Sequence, residues 1–229
     1  MIEDDPVIAR IARRYKGRWL QGYARGKLRS DPAFAAAFEY LNPVPLPVLD
    51  VGCGIGLLEF YLRERGFAAP LHGFDFDPPK IAQAQRIAAA QDAAVTFTLG
   101  DAAQALPGER GHVVMLDVLH YLDAAAQRDL LARAAAHVAP GGLCLIRETP
   151  RDGSWRFRVT QGEELFIRSI LWMKSGARHF PTIEEVIGPF EERGFSSQVI
   201  PLWGRTPFNS HLFILRAGAV PIPGSVTSE

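Results

Sequence analysis

Residues 46–62, LPVLDVGCGIGLLEFYL, constrain the chain more than any other stretch. Leu46, Val48, Leu49 and Val51 form a short apolar run fenced by prolines, the pattern of a strand covered on both faces in a parallel sheet. Asp50 interrupts the run at its C-terminal end. Open α/β sheets bind ligands at that end, so the Asp50 carboxylate is expected to face a ligand. Gly52, Gly54 and Gly56 permit a sharp turn and a close backbone approach. Leu57, Leu58, Tyr61 and Leu62 then recur at helical spacing, so the turn opens into a helix whose first amides point at whatever lies above the glycines.

A dinucleotide fingerprint, G-x-G-x-x-G, needs its third glycine to pack helix on strand, but Leu57 stands there, which weakens a pyrophosphate reading. Strand and helix patterns alternate beyond the turn. Strands are expected at 71–75, 95–99, 112–117 and 143–148, with helices at about 79–91 and 124–138. Thr182 to Glu185 is a capping box for a helix ending at Gly194, and two closing strands near 195–202 and 211–216 are spaced as an antiparallel pair. The expected fold is therefore α/β: a doubly wound, Rossmann-like, mostly parallel seven-stranded sheet with an antiparallel C-terminal strand pair and helices on both faces.

Ahead of this core, Val7, Ile8, Ile11, Ala12, Tyr15 and Trp19 trace the apolar stripe of one amphipathic helix over 7–24. From Arg10 to Arg29 the chain carries six arginines, two lysines and no acid, which reads either as a solvated face or as a docking surface for an anionic ligand, carrier or nucleic acid. Ser30-Asp31-Pro32 opens a second helix. Residues 149–181 break the alternation with arginines and aromatics and are expected to form an inserted helix with flanking loops over the strand ends. The 229 residues are expected to form a single domain: a cap (1–45), a ligand-binding core (46–148), an insertion (149–181), a closing helix and strand pair (182–216) and a flexible tail (217–229). The formal net charge is zero, so bulk charge selects no polyanionic partner. Cys53 and Cys144 lack disulfide or metal-ligand spacing and are expected to be reduced, which with the acidic start MIEDDP and the lack of a long apolar run points to a cytoplasmic protein without a membrane span.

Three further acids stand at strand tips. Asp75 ends the second strand about 20 residues past the glycines, placed to accept both hydroxyls of a ribose; the alternative, a helix cap, suits Asp77 better. Asp101 ends the third strand, where a carboxylate accepts from an exocyclic adenine amine while Phe76 and Ala102 sandwich the ring, or else simply caps a turn. Asp117 to His120 end the fourth strand as polar groups inside an apolar run; for His120 the alternative is a satisfied core histidine.

In this order, D-V-G-C-G-I-G, G-F-D-F-D-P, L-G-D-A, L-D-V-L-H-Y-L and V-A-P-G-G-L resemble class I S-adenosylmethionine-dependent methyltransferases of the small-molecule type, continuously over 46–148. The resemblance implies that S-adenosylmethionine is the cofactor. It also implies that Asp50, Gly52, Cys53, Gly54 and Gly56 cradle its methionine part, that Asp75 holds the ribose, that Asp101, with Phe76 and Ala102 about the ring, meets the adenine, and that Asp117 to His120, Val118 among them, line the cofactor and substrate side. Base-amine methyltransferases carry an N/D-P-P-aromatic tetrapeptide where this chain has Asp117-Val118-Leu119-His120, so nucleic acid is not expected as a substrate.

Methyl transfer from a sulfonium needs alignment, exclusion of water and a deprotonated acceptor. For a phenol or hydroxyl acceptor the expected base is His120, with Glu148, and Arg147 beside it, as the next candidates; for a carboxylate or an activated aromatic carbon no strong base is needed and His120 only orients. No metal is expected. The acceptor is expected to be a small aromatic or acyl, carboxylate-bearing metabolite, free or tethered to an acidic carrier and methylated on oxygen or carbon, by a monomer or a dimer. The competing readings are an inactive cofactor-binding protein that docks partners through its basic helix and, more distantly, an NAD-dependent oxidoreductase.

Overall fold

The computed structural model describes residues 5–90, 94–159, 179–203 and 207–218. Seven strands form one sheet in the order β3-β2-β1-β4-β5-β7-β6. They are β1 (Val48–Val51), β2 (Leu71–Asp75), β3 (Val95–Leu99), β4 (His112–Leu116), β5 (Leu143–Glu148), β6 (Ser196–Pro201) and β7 (His211–Arg216). The first five run parallel, and β7 lies antiparallel between β5 and β6. The expected doubly wound sheet with its antiparallel closing pair is the observed one. The strand order reverses between β1 and β4, and such a switch point opens a crevice above the strand tips.

Helices α4 (Leu57–Glu64), α5 (Pro78–Ala88) and α6 (Ala124–His137), with α7 (Ile183–Glu191), cover the sheet. One buried apolar cluster joins α4 and α5 to one face, and a second joins α6 and α7 to the other. Asp77, Asp123 and Thr182 cap their helices by accepting from Lys80, Ala126 and Glu185 amides, and Thr182 and Glu185 form the expected capping box. His112, wholly buried, stitches the sheet floor. Its Nδ1 accepts from the Leu143 amide at 2.9 Å, so its Nε2–H donates to the Val44 carbonyl at 2.6 Å.

The N-terminal segment departs from the expected single helix. It forms α1 (Pro6–Arg13) and α2 (Arg18–Ser30), broken at Gly17, whose φ of 87° lies in the left-handed region. Val7, Ile11, Ala12 and Tyr15 of the apolar stripe are buried against α4, but Trp19, carried onto α2, is 77% exposed. Ser30 is the last residue of α2 rather than a cap; Asp31 accepts from the Ala33 amide and opens α3 (Ala33–Leu41). The fourth strand stops one residue early, because Asp117 turns left-handed at φ 59°. Residues 155–159 are helical, while the rest of the expected inserted helix, 160–178, lies outside the described residues. Most of the expected tail lies outside them too; Ala217 and Gly218 are held by backbone hydrogen bonds to Gly142 and Gly141. No helix among the described residues is long and apolar enough to cross a membrane.

Candidate functional site

A cavity of about 600 Å³ opens at the switch point, above the tips of β1, β2 and β4. The glycine turn forms its floor, with Gly52, Gly54 and Gly56 all left-handed at φ of 77°, 58° and 80°. Two of the three are sterically required. A Cβ on Gly52 would meet Val118 at 2.7 Å, and one on Gly56 would meet Phe97 at 2.5 Å. Above Gly54 there is open space. The turn therefore packs downward and leaves its upper face to a ligand.

Ten of the eleven residues expected to hold a cofactor line this one cavity: Asp50, Gly52, Cys53, Gly54, Asp75, Phe76, Asp101, Ala102, Asp117 and Val118. Gly56 sits one step below them, in the packing under the turn. Asp75 is 6% exposed and anchors the turn: Oδ2 accepts from the Gly54 amide and Oδ1 from the Asp77 amide, both at 2.9 Å. Asp77 takes the helix cap, as expected, so Asp75 is left to join turn and cavity. Asp101 accepts from the Ala103 amide and lines the cavity with Ala102 and with Phe76, which is 69% exposed. Such open apolar side chains beside an acceptor suit a ring with an amine on its edge.

Beneath the turn lies an unexpected buried carboxylate. Glu59, on the first turn of α4, is 1% exposed with no hydrogen-bond partner for either oxygen. Gly73 is glycine because a Cβ there would stand 2.1 Å from Glu59 Oε1. Burial and then the neighbouring Asp50 push the Glu59 carboxyl well above its ordinary value, and burial and Asp75 do the same to Asp50. Burial also raises the Cys53 thiol. Tyr15 closes this layer by donating to the Ile55 carbonyl at 3.0 Å, which ties the α1–α2 corner to the glycine turn.

Four charges form the opposite wall. Lys27 and Asp31 from the end of α2 meet Asp117 and Arg147 from the tips of β4 and β5. Lys27 lies 2.8 Å from Asp31 and 3.7 Å from Asp117, while Arg147 lies 3.1 Å from Asp31 and also bonds Asp117. Burial alone would raise Asp31, but Arg147 and Lys27 hold it below the usual carboxylate value. Sequence reasoning named Asp117 and Arg147 and missed Lys27 and Asp31. The one local signal was their i,i+4 spacing where the acid-free stretch ends. Other cations of that stretch are spent within the fold, Arg10 and Arg14 on Glu64.

The expected catalytic pair does meet. His120 Nδ1 lies 2.7 Å from Glu148 Oε1, the His120 amide donates to Oε2 at 3.2 Å, and the Thr149 amide donates to Oε1 at 2.8 Å. Both are buried, and neither lines the cavity; Tyr121, whose ring centroid lies 4.2 Å from that of His120, does. Phe180 covers the imidazole at 5.8 Å. The described residues hold no cluster suited to a metal ion.

Comparison with known proteins places this geometry. Residues 48–142 match the family model described as a methyltransferase domain. Over 111 residues, 48% of the chain, it is 33% identical to a demethylmenaquinone methyltransferase of Thermus thermophilus. Over 116 residues it is 31% identical to a ribosomal protein L11 methyltransferase of Burkholderia vietnamiensis. The chain spans only 50% and 36% of those two relatives' lengths. In structure it is similar to a magnesium protoporphyrin IX methyltransferase from Synechocystis PCC 6803, solved with bound S-adenosylhomocysteine, at a TM-score of 0.66 and 19% identity over 94% of this chain and 96% of that one. Residues 48–142, which carry most of the ordered motifs and most of the walls of the switch-point cavity, are similar to a methyltransferase domain.

Proposed function

We propose that the chain transfers a methyl group from S-adenosylmethionine to oxygen or carbon of a small molecule. The observation that carries the reading is the left-handed glycine turn with open space above Gly54 and the Asp75 carboxylate beside it, in one cavity. The residues present fit the cofactor. Asp75 keeps acceptor capacity for ribose hydroxyls beyond its two amide bonds, and Phe76, Ala102 and Asp101 form an apolar slot with an acceptor at its edge. The acidic floor around Asp50 suits a ligand with cationic groups. When bound, S-adenosylmethionine supplies a methyl group on a sulfonium, which makes the leaving group a neutral thioether.

A cavity of about 600 Å³ lies in the range of small-molecule sites. The similarity to a demethylmenaquinone methyltransferase supports an acceptor of that scale. The chain's own residues align and exclude water: the turn fixes one partner, and α2 with the strand-tip charges encloses the other. For an acceptor hydroxyl we assign His120 as the base. Glu148 accepts from Nδ1–H and so favours proton uptake by the imidazole, and Tyr121, whose ring centroid lies 4.2 Å from that of His120, lines the cavity. The test is radiolabelled methyl transfer from S-adenosylmethionine to a panel of phenolic, carboxylic and quinol acceptors. Label must enter at least one acceptor, and with a hydroxyl acceptor His120→Ala must lower kcat by about 10²-fold or more without weakening cofactor binding. Label that enters only protein or RNA substrates sinks the small-molecule reading.

A further inference from the structure

Resting on the methyl-transfer reading, we propose that the acceptor is a planar aromatic molecule without a carboxylate, received on the Trp19–Tyr23 pair of α2. The two side chains are four residues apart, so they stand on one face of the helix. Both line the cavity, and both are open, at 77% and 47% exposure. Their rings are parallel within 6° with centroids 5.9 Å apart, a separation that makes the stack offset rather than face to face. An offset pair of exposed rings keeps apolar surface in water unless a further ring continues the stack, and continuity with the cofactor cavity identifies that ring's source as the acceptor.

Charge narrows the class. Lys27, Lys80 and Arg147 are the cations among the described lining residues, and each already faces a carboxylate: Lys27 and Arg147 face Asp31 and Asp117, and Lys80 faces Asp77 at 3.7 Å. An anionic acceptor would have to displace Asp117 or Asp31 from Arg147. An uncharged ring meets no such cost. The carboxylate handle expected from the sequence rested on arginines of residues 10–29 and 149–181, none of which is among the described lining residues.

The test uses the full chain saturated with S-adenosylhomocysteine and titrated calorimetrically with naphthol, naphthoate and decanoate. Naphthol must bind more tightly than either acid. Trp19→Ala and Tyr23→Ala must each weaken it about tenfold, the scale of losing one stacking partner, with Trp19→Phe restoring most of the loss. S-adenosylhomocysteine affinity and melting temperature must stay unchanged in these surface variants. Naphthol binding indifferent to Trp19→Ala, or decanoate or naphthoate binding as tightly as naphthol, overturns the proposal. So does Trp19-dependent binding to phosphatidylglycerol vesicles without Trp19-dependent naphthol binding, which would assign the pair to a lipid surface. Failure of S-adenosylhomocysteine to bind the unmodified chain would instead refute the methyl-transfer reading, and the same naphthol titrations on the unloaded chain would then judge the aromatic platform by itself.

Discussion

Replacing Asp75 separates a ligand-binding carboxylate from a purely architectural one. Asp75 accepts two backbone amides at 2.9 Å, from Gly54 in the turn and Asp77 ahead of α5, and it lines the cavity. A hydrogen bond to a charged acceptor contributes about 1.5–3 kcal/mol, so Asp75→Ala should lower stability by roughly that amount through its amide partners. If the carboxylate also takes ribose hydroxyls, S-adenosylhomocysteine affinity falls by a similar amount, about tenfold to a hundredfold in Kd. Asp75→Asn keeps an acceptor for one amide and should recover part of the stability while remaining poor at binding. Calorimetric titration and denaturant melts on the same preparations read the two losses independently. A stability loss in Asp75→Ala with Kd unchanged would refute the ribose role and leave Asp75 an anchor for the turn.

Other perturbations follow from the buried groups. Burial lowers the His112 pKa, although the Val44 carbonyl opposes the shift, so the folded chain holds this imidazole neutral while the unfolded chain protonates it. Stability should therefore fall as pH drops below about 6.5, and His112→Asn should flatten that slope in melts between about pH 7 and pH 5. Glu59 has its pKa raised by burial and Asp50, so its stabilising protonated form is lost as pH rises. Glu59→Gln should raise Tm, and by more at about pH 8.5 than at about pH 5.5; an equal effect at both would mean that the fold does not raise the Glu59 carboxyl above its ordinary value. Ile11 is wholly buried in the cluster shared with α4, so Ile11→Ala should cost about 2–5 kcal/mol in urea unfolding, and a change near zero would return α1 to surface decoration.

What was legible in the sequence was local. The glycine turn, the capping box at Thr182 and the acids at strand tips are written in residues that touch their sequence neighbours, and their positions above one sheet edge follow from the alternation of strand and helix. The break at Gly17 was harder to read, because the apolar stripe runs smoothly from Val7 to Trp19 and only a left-handed glycine moves Trp19 from core to cavity wall. The meeting of Lys27 and Asp31 with Asp117 and Arg147 joins parts of the chain far apart in sequence, which no spacing rule encodes. Glu59 carries no local sign of burial, because the room for it is made by Gly73 on β2. For the same reason a deletion of residues 1–29 is no clean test of a detachable cap, since it would strip Val7, Ile11, Tyr15, Ala24 and Leu28 from the core.

The central claim is that the switch-point cavity is built for the S-adenosyl group. Its most direct test is calorimetric titration of the full chain with S-adenosylhomocysteine and, separately, with NAD. S-adenosylhomocysteine should bind saturably and one-to-one, with a stabilisation of about 2.7 kcal/mol at a hundredfold excess over Kd, and NAD should not bind. Binding of NAD with no response to S-adenosylhomocysteine would contradict the claim.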